Sequence, residues 1–405
     1  MPFGERYPPL IEFVQRFLEV DRDMGLPQQS TTAWRAALEY NLIQLLAEVA
    51  PSHADSQVFF SNSGAEAIEG AIKFVKAFRP AAPYILNFTG GYHGKTYGAL
   101  SLTPNEEYQA PFRPLMANVV TVKFGDIEAF RTEVDQLGGN NIAGVFLEPI
   151  QGEAGVIIPP RNFLEQLGAI CEHYGIVIVA DEIQVGLGRS GYHFASIEWG
   201  GLEPDIITLA KPLGGGIMPV GATIARRDIY HTMLGGLSSK RHSSTFGGNS
   251  LAMAVGLKSL ELLLENNLAA RSRRLGAKSL ERLVTIQQRH EHLFEAVRGM
   301  GLLLALEFRP VVGPKAAPVQ RELIDELSGL LGLLTLHKAG VHANLSLNAK
   351  RTIRLTPALN IPEPLLDELL DRVERSADHH AWAVEMLTAT APKTLYGLTR
   401  LARGV

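Results

Sequence analysis

Two segments of this chain carry side chains whose types and spacing suit covalent chemistry. Ile176-Val177-Ile178-Val179-Ala180 runs into Asp181-Glu182-Ile183-Gln184, and Leu209-Ala210-Lys211-Pro212-Leu213-Gly214-Gly215-Gly216 follows. A short run rich in β-branched residues reads as a strand covered on both faces of a parallel sheet. Ligands of such sheets bind beyond the carboxyl ends of the strands, where Asp181 would sit. A carboxylate there can keep a pyridine nitrogen protonated, and a lysine displayed among glycines can form an imine. Ile183 would point to the same side as Asp181 and pack against a flat ring, while Gln184 could donate to a phenolate oxygen. Asp181 could instead cap a helix or close a loop ion pair, and Lys211 could be a surface lysine. Against the latter, Pro212 and three glycines make a poor surface helix and a good close-approach loop.

Further pieces suit a phosphate and a ring. Ser61-Asn62-Ser63-Gly64-Ala65-Glu66-Ala67 sits at a strand-to-helix turn, where small residues let backbone N–H groups at a helix N-terminus approach a phosphate. Taken alone it reads more readily as a helix cap. Gly90-Gly91-Tyr92-His93-Gly94 offers an aromatic face among glycines, suited to stacking on a ring or simply to packing. Ser243-Ser244-Thr245-Phe246-Gly247-Gly248-Asn249 supplies hydroxyls and another tight turn before a helix.

The elements that must position these residues alternate. Strands are expected at 58–60, 84–88, 119–122, 144–147, 176–180, 205–209 and 221–225, with helices such as 64–78 and 161–174 between them. That alternation predicts an α/β fold with a mostly parallel, helix-covered sheet. After about residue 250 the character changes: long helices at 251–266 and 269–288, strands at 301–308 and 352–355, a proline-rich loop at 310–318 and a helix at 363–386. This divides the chain into a large domain, 1–250, and a smaller α+β domain, 251–405.

At 405 residues the chain is too long for one core. Its net charge of −4 offers no footprint for nucleic acid or an anionic membrane. The single cysteine, Cys171, excludes an intramolecular disulfide framework and a cysteine-based zinc cluster, and reads as a buried structural thiol. No metal site is expected, nor a membrane segment, and a reducing, cytoplasmic setting is the default.

Taken together, these pieces resemble the class III pyridoxal-phosphate aminotransferases, of fold type I. The resemblance rests on Asn62-Ser63-Gly64-Ala65-Glu66, Tyr92-His93-Gly94-Lys95, Glu148-Pro149-Ile150-Gln151-Gly152-Glu153, Asp181-Glu182-Ile183-Gln184, Leu209-Ala210-Lys211 and Ser244-Thr245-Phe246-Gly247-Gly248-Asn249. It spans about residues 8 to 375. Within the class, His93 to Ser101, Gly214 to Ala222 and Asn348 to Leu355 look most like putrescine and other ω-amine aminotransferases, with ornithine and acetylornithine aminotransferases close behind.

The resemblance implies pyridoxal 5'-phosphate as cofactor, with Lys211 forming its Schiff base and Asp181 pairing with the pyridine nitrogen. Gln184 would contact the ring oxygen, and Ile183 and Tyr92 would sandwich the ring. Ser63, Gly64 and Ala65 would hold the phosphate from one subunit and Thr245 from the other, which makes a homodimer with shared active sites. Arg354 would clamp a carboxylate of the oxo acid, with Glu153 pairing to that arginine when an amine donor enters; an ordinary structural ion pair is the alternative. The implied activity is transfer of an amino group from a primary amine, a putrescine-like diamine or other ω-amine, to a 2-oxo acid such as 2-oxoglutarate. Ornithine, acetylornithine or 4-aminobutyrate as donor is the alternative, as is a cofactor-binding protein of reduced activity acting as a partner or regulator. Relatives usually carry a further segment before the part that Tyr7-Pro8-Pro9-Leu10 resembles. That implies a misplaced start, a piece of a longer chain or a lost pocket wall. The tail 387–405 reads as an amphipathic helix packed on a partner subunit, with membrane contact as the alternative.

Overall fold

Short apolar runs at Gln57–Ser61 (β1), Tyr84–Phe88 (β2), Val119–Val122 (β3), Ile142–Leu147 (β4), Val177–Asp181 (β5), Ile206–Leu209 (β6) and Gly221–Ala225 (β7) assemble into one seven-stranded sheet. The computed structural model describes residues 2–20, 31–311 and 318–380, with side chains of 318–323 left aside. The expected tail helix at 387–405, the last part of the 363–386 helix and most of the proline-rich loop lie outside these residues. Strand order is β1-β7-β6-β5-β4-β2-β3. β2 to β6 pair in parallel, while β7 runs antiparallel to both β6 and β1. The sheet is therefore mixed at one strand, and β1 still runs in the same direction as β6.

Alternate residues of the central strands feed two separate cores. Val177 and Val179 pack with Ile68, Phe74 and Val75 of the helix Gly64–Phe78 on one face. Ile176 and Ile178 pack with Phe130, Phe163 and Leu167 on the other. Every residue of β4 to β7 is buried, as the unbroken apolar runs require. The helix Gly64–Phe78 starts at Ser63, whose hydroxyl accepts from the Glu66 N–H, and Glu66 lies in its first turn. Cys171 is buried in the second core, and burial holds its thiol far above its ordinary range.

The chain divides into two compact units. One comprises Met1–Gln151, Ile158–Ser272 and Ala358–Asn360, within the described residues, and holds the seven-stranded sheet. It also contains the helices Pro8–Glu19, Ala33–Ala47 and Ser250–Glu265. The other comprises Gly152–Ile157, Arg273–Pro357 and Ile361–Val405, again within the described residues. Its sheet joins Phe294–Met300 (β8), Leu303–Phe308 (β9), Asn344–Leu345 (β10) and Thr352–Leu355 (β11), all antiparallel, in the order β10-β11-β9-β8. Leu283, Ile286, Phe294, Phe308, Ile353 and Leu370 are among its core. Among the described residues no helix is long and apolar enough to cross a membrane.

Candidate active site

Because β1, β2, β4, β5 and β6 share one direction, their carboxyl ends lie along one edge of the larger unit's sheet. Ser63, Gly64 and Ala65 follow β1, and Tyr92 follows β2. Asp181 closes β5, with Ile183 and Gln184 just beyond, and Lys211 follows β6. The register pairs Asp181 with Thr208, so Lys211 stands three residues past the carboxylate's neighbour on the adjacent strand. Asp181 and Ile183 are buried, Ser63, Gly64, Ala65, Tyr92 and Gln184 are half-buried, and Lys211 and Thr245 are exposed.

Asp181 is held from three directions. Its Oδ2 lies 2.8 Å from His93 Nδ1, and its Oδ1 accepts from the Ile183 N–H at 3.1 Å and from Thr208 Oγ1 at 3.5 Å. Burial alone would favour the neutral imidazole of His93. The hydrogen bond to Asp181, with the charges of Asp181 and Glu148, outweighs it and raises the imidazole above its ordinary range. The same loop is fixed around this pair. The His93 N–H donates to Thr103 Oγ1 at 3.0 Å, and the Tyr92 N–H donates to Glu148 Oε1 at 2.9 Å. His93 thus acts as the hydrogen-bonding neighbour of Asp181, a role its position between Tyr92 and Gly94 does not announce. A histidine in a glycine-flanked loop after a strand is the only local signal. Thr208 and Glu148 become neighbours of this pair only through strand register and loop folding.

The turn after β1 has the shape of an anion cradle. The first-turn N–H groups of Gly64 and Ala65 have no partner within the helix, as at any helix N-terminus. Glu66 Oε2 accepts from the Asn62 N–H at 2.9 Å and from Asn62 Nδ2 at 3.0 Å, which fixes the turn. Two glycines admit close approaches that a side chain would block. A Cβ on Gly64 would fall 2.9 Å from Ile183 Cδ1, and one on Gly221 would fall 2.2 Å from the Ser63 carbonyl oxygen. Ile183 is thereby laid against the start of the helix. Asn62 Nδ2 also donates to Ser244 Oγ at 3.0 Å, which brings the Ser243–Gly248 turn, with Thr245 exposed on it, beside this loop.

Glu182, next to Asp181, is buried with Oε1 accepting from the Ser196 N–H (2.6 Å) and Ser196 Oγ (2.7 Å). Its Oε2 is buried without a hydrogen-bond partner among the described residues. Burial pushes this carboxyl up to about 7, against the lowering effect of the Ser196 donors. The folded chain therefore holds the proton more tightly than the unfolded chain. Its contribution to stability is fully present below the ordinary glutamate range and is lost as pH rises to about 7, roughly 3 kcal/mol in all. Glu182→Gln, which cannot ionise, is expected to gain melting temperature relative to the parent between about pH 5 and pH 8. Calorimetry across that range checks it, and parallel curves for the two proteins would refute it.

In the smaller unit, Arg354 Nη1 on β11 pairs with Glu153 Oε1 at 2.7 Å, both side chains nearly buried. Glu153 is anchored beyond the ion pair. Its Oε2 accepts from the Leu347 N–H at 3.1 Å and its carbonyl from the Asn348 N–H at 2.9 Å. Asn348 and Arg354 thus both engage a segment, Gly152–Ile157, that belongs to this unit although its sequence neighbours belong to the other. The pair suits either a structural link or a carboxylate clamp whose arginine can exchange partners.

The family model described as aminotransferase class-III matches residues 21–376. Putrescine aminotransferase of Pectobacterium atrosepticum is 42% identical over 272 residues, which cover 66% of this chain and 57% of that protein. The chain thus spans little more than half the length of that relative. Ornithine aminotransferase of Toxoplasma gondii superposes with a TM-score of 0.79 at 26% identity, covering 92% of this chain and 82% of that one. An amine transaminase from an uncultivated Pseudomonas species, solved in a PLP-bound form, superposes with a TM-score of 0.79 at 25% identity. It covers 93% of this chain and 88% of that one.

Proposed function

The chain belongs to the class III aminotransferases, with the fold type I architecture, and from that premise we propose that it moves the amino group of a primary amine to a 2-oxo acid. The proposed donor is a putrescine-like diamine or another ω-amine, and the acceptor 2-oxoglutarate. Pyridoxal 5'-phosphate is the cofactor of this enzyme family, and the residues along the sheet edge fit it. The helix start at Ser63–Ala65 suits a phosphate, the Ile183 side chain a ring face, and buried Asp181 a protonated pyridine nitrogen. When bound, the cofactor supplies a carbonyl that condenses with amines and a ring that takes up the electron pair released at the carbon bearing nitrogen.

The chain's own residues then have distinct tasks. Lys211 would hold the cofactor through its Nζ and, when that amine is free, would take the proton from the carbon bearing nitrogen and deliver it to the carbon on the far side of that nitrogen. Asp181 keeps the proton on the ring nitrogen, and His93 holds Asp181 in place. Ser63, Gly64 and Ala65 would bind the phosphate, with Tyr92 and Ile183 on the ring faces and Gln184 on the ring oxygen. In this reading Thr245 serves the phosphate of a second copy, so the active unit is a homodimer, and the setting is cytoplasmic.

Arg354 and Glu153 would let one pocket accept two unlike substrates. Arg354 clamps a carboxylate of the oxo acid, and with an amine donor it stays with Glu153. The observation that carries the activity is the register of β5 on β6, which sets Asp181 and Lys211 at the ends of neighbouring strands. Similarity to a putrescine aminotransferase supports the donor, while likeness to ornithine aminotransferases favours ornithine as the second reading. The test is the visible absorbance of the protein with pyridoxal phosphate. Putrescine should bleach it and 2-oxoglutarate restore it. Bleaching by ornithine alone would shift the donor, and no visible band at all would sink the reading.

Arg354→Ala is expected to raise KM for 2-oxoglutarate about 30-fold or more, from the loss of a charge-paired clamp worth at least about 2 kcal/mol. The half-reaction with putrescine should stay within about threefold, because in this reading the donor does not use the arginine. Equal losses on both substrates in stopped-flow measurements would reduce the pair to a structural link.

A further inference from the structure

Lys211 is displayed by a short turn with three excursions to positive φ. Lys211 has φ +22°, Gly215 φ +64° and Gly216 φ +78°. Within the turn the Leu213 N–H donates to the Ala210 carbonyl at 2.7 Å, and the Gly215 N–H to the Pro212 carbonyl at 3.0 Å. A non-glycine residue at positive φ persists only when its surroundings over-determine it. Those surroundings include two helices of the larger unit, one of them backed by a third. A Cβ on Gly215 would lie 2.5 Å from Ser259 Oγ on the helix Ser250–Glu265 and 2.8 Å from Leu10 Cδ1 on the helix Pro8–Glu19. Beside them, a Cβ on Gly256 would lie 2.8 Å from Leu38 Cδ2, on the helix Ala33–Ala47, and 3.5 Å from the Leu213 carbonyl oxygen. Leu10, Leu38 and Ser259 are all fully buried. Ser259 Oγ has no hydrogen-bond partner among the described residues.

We propose that Leu10 and Ser259 are positioning residues for Lys211, a floor under Gly215 that sets the height of the turn and hence where the lysine nitrogen meets the cofactor. The inference rests on the reading that Lys211 carries the cofactor. It makes the helix Pro8–Glu19, some 200 residues earlier in the chain, part of the machinery that aims the lysine. Lowering the floor relaxes the Lys211 backbone, and raising it pushes the lysine out of line. Misplacements of this kind act on the chemistry out of proportion to their size.

The test uses the holoenzyme, four variants of the floor and turn, and one control variant. S259A and L10A/S259A lower the floor, G215A raises the turn, and L10A/S259A/G215A gives the added methyl room while leaving its backbone at positive φ. L167A, equally buried in the core on the sheet's other face, is the control for generic destabilisation. The readouts are the rate of cofactor release, the pH midpoint of the visible absorbance, and hydrogen exchange at Leu213, Gly215 and Ile217 in protein stripped of cofactor.

L10A/S259A and G215A should each release cofactor at least about tenfold faster and shift the midpoint, with the triple variant closer to the parent than G215A. L167A should lower the melting temperature and leave release and midpoint unchanged. S259A removes a single atom and keeps the fold, so it carries the test if the larger variants fail to fold. Faster exchange at the turn amides separates loss of the floor from failure of the cofactor reading, since it needs no cofactor. If L167A matches L10A/S259A in release and midpoint, or if the triple variant is worse than both parents and S259A moves nothing, the floor has no positioning role.

Discussion

Lys211→Ala is expected to abolish steady-state amino transfer, by on the order of 10⁴-fold or more, while leaving the fold intact. Two losses combine. The side chain that links the cofactor is gone, and so is the amine that moves the proton at the carbon bearing nitrogen. Lys211 is exposed, so truncating it leaves no cavity in the core. The variant should still bind pyridoxal phosphate through the helix start at Ser63–Ala65, with weaker retention and an altered spectrum. Added small primary amines should recover part of the single-turnover rate, because they can replace the missing base. Turnover within tenfold of the parent would remove Lys211 from the mechanism.

Asp181→Asn is expected to lower turnover on the order of 10³-fold, the scale seen when a positioned electrostatic partner of a developing charge is lost. The substitution is close to isosteric. The Ile183 N–H can still donate to the amide oxygen, so the packing at the end of β5 survives. What disappears is the negative charge that holds a proton on the pyridine nitrogen. The raised imidazole of His93 also loses its nearer carboxylate and keeps only Glu148. Reconstitution with a cofactor carrying a permanent positive charge on that nitrogen, as in an N-methyl analogue, should restore activity to Asp181→Asn and leave the parent little changed. Failure of that analogue to rescue would mean that Asp181 acts by holding the site together and not by holding the proton.

The one-dimensional order of the chain carried much of this. Runs such as Ile176–Ala180 are wholly apolar because both faces of the strand are covered, and that pattern is readable without a fold. So is the strand Tyr84–Phe88 and the helix Gly64–Phe78, whose bounds match the expected ones. Other elements were silent for physical reasons. In β8, Glu295 and Arg298 interrupt the apolar pattern. The expected strand at 301–308 begins instead at Leu303, because Gly301 and Leu302 form the turn of the β8–β9 hairpin. The antiparallel direction of β7 was hidden too, since a short buried strand reads the same both ways.

By itself, then, the sequence determined the chemistry on offer: a lysine among glycines, an acid at a strand end, a helix start able to take an anion, all properties of neighbouring residues. Tertiary structure alone decided how those groups are held. His93 meets Asp181 across 88 residues of chain, Glu153 meets Arg354 through the return of β11, and Leu10 reaches under Gly215 from the far end of the larger unit's sequence. Such contacts depend on strand order, register and helix packing, which arise from burial summed over a whole core and leave no mark in the spacing of any one segment.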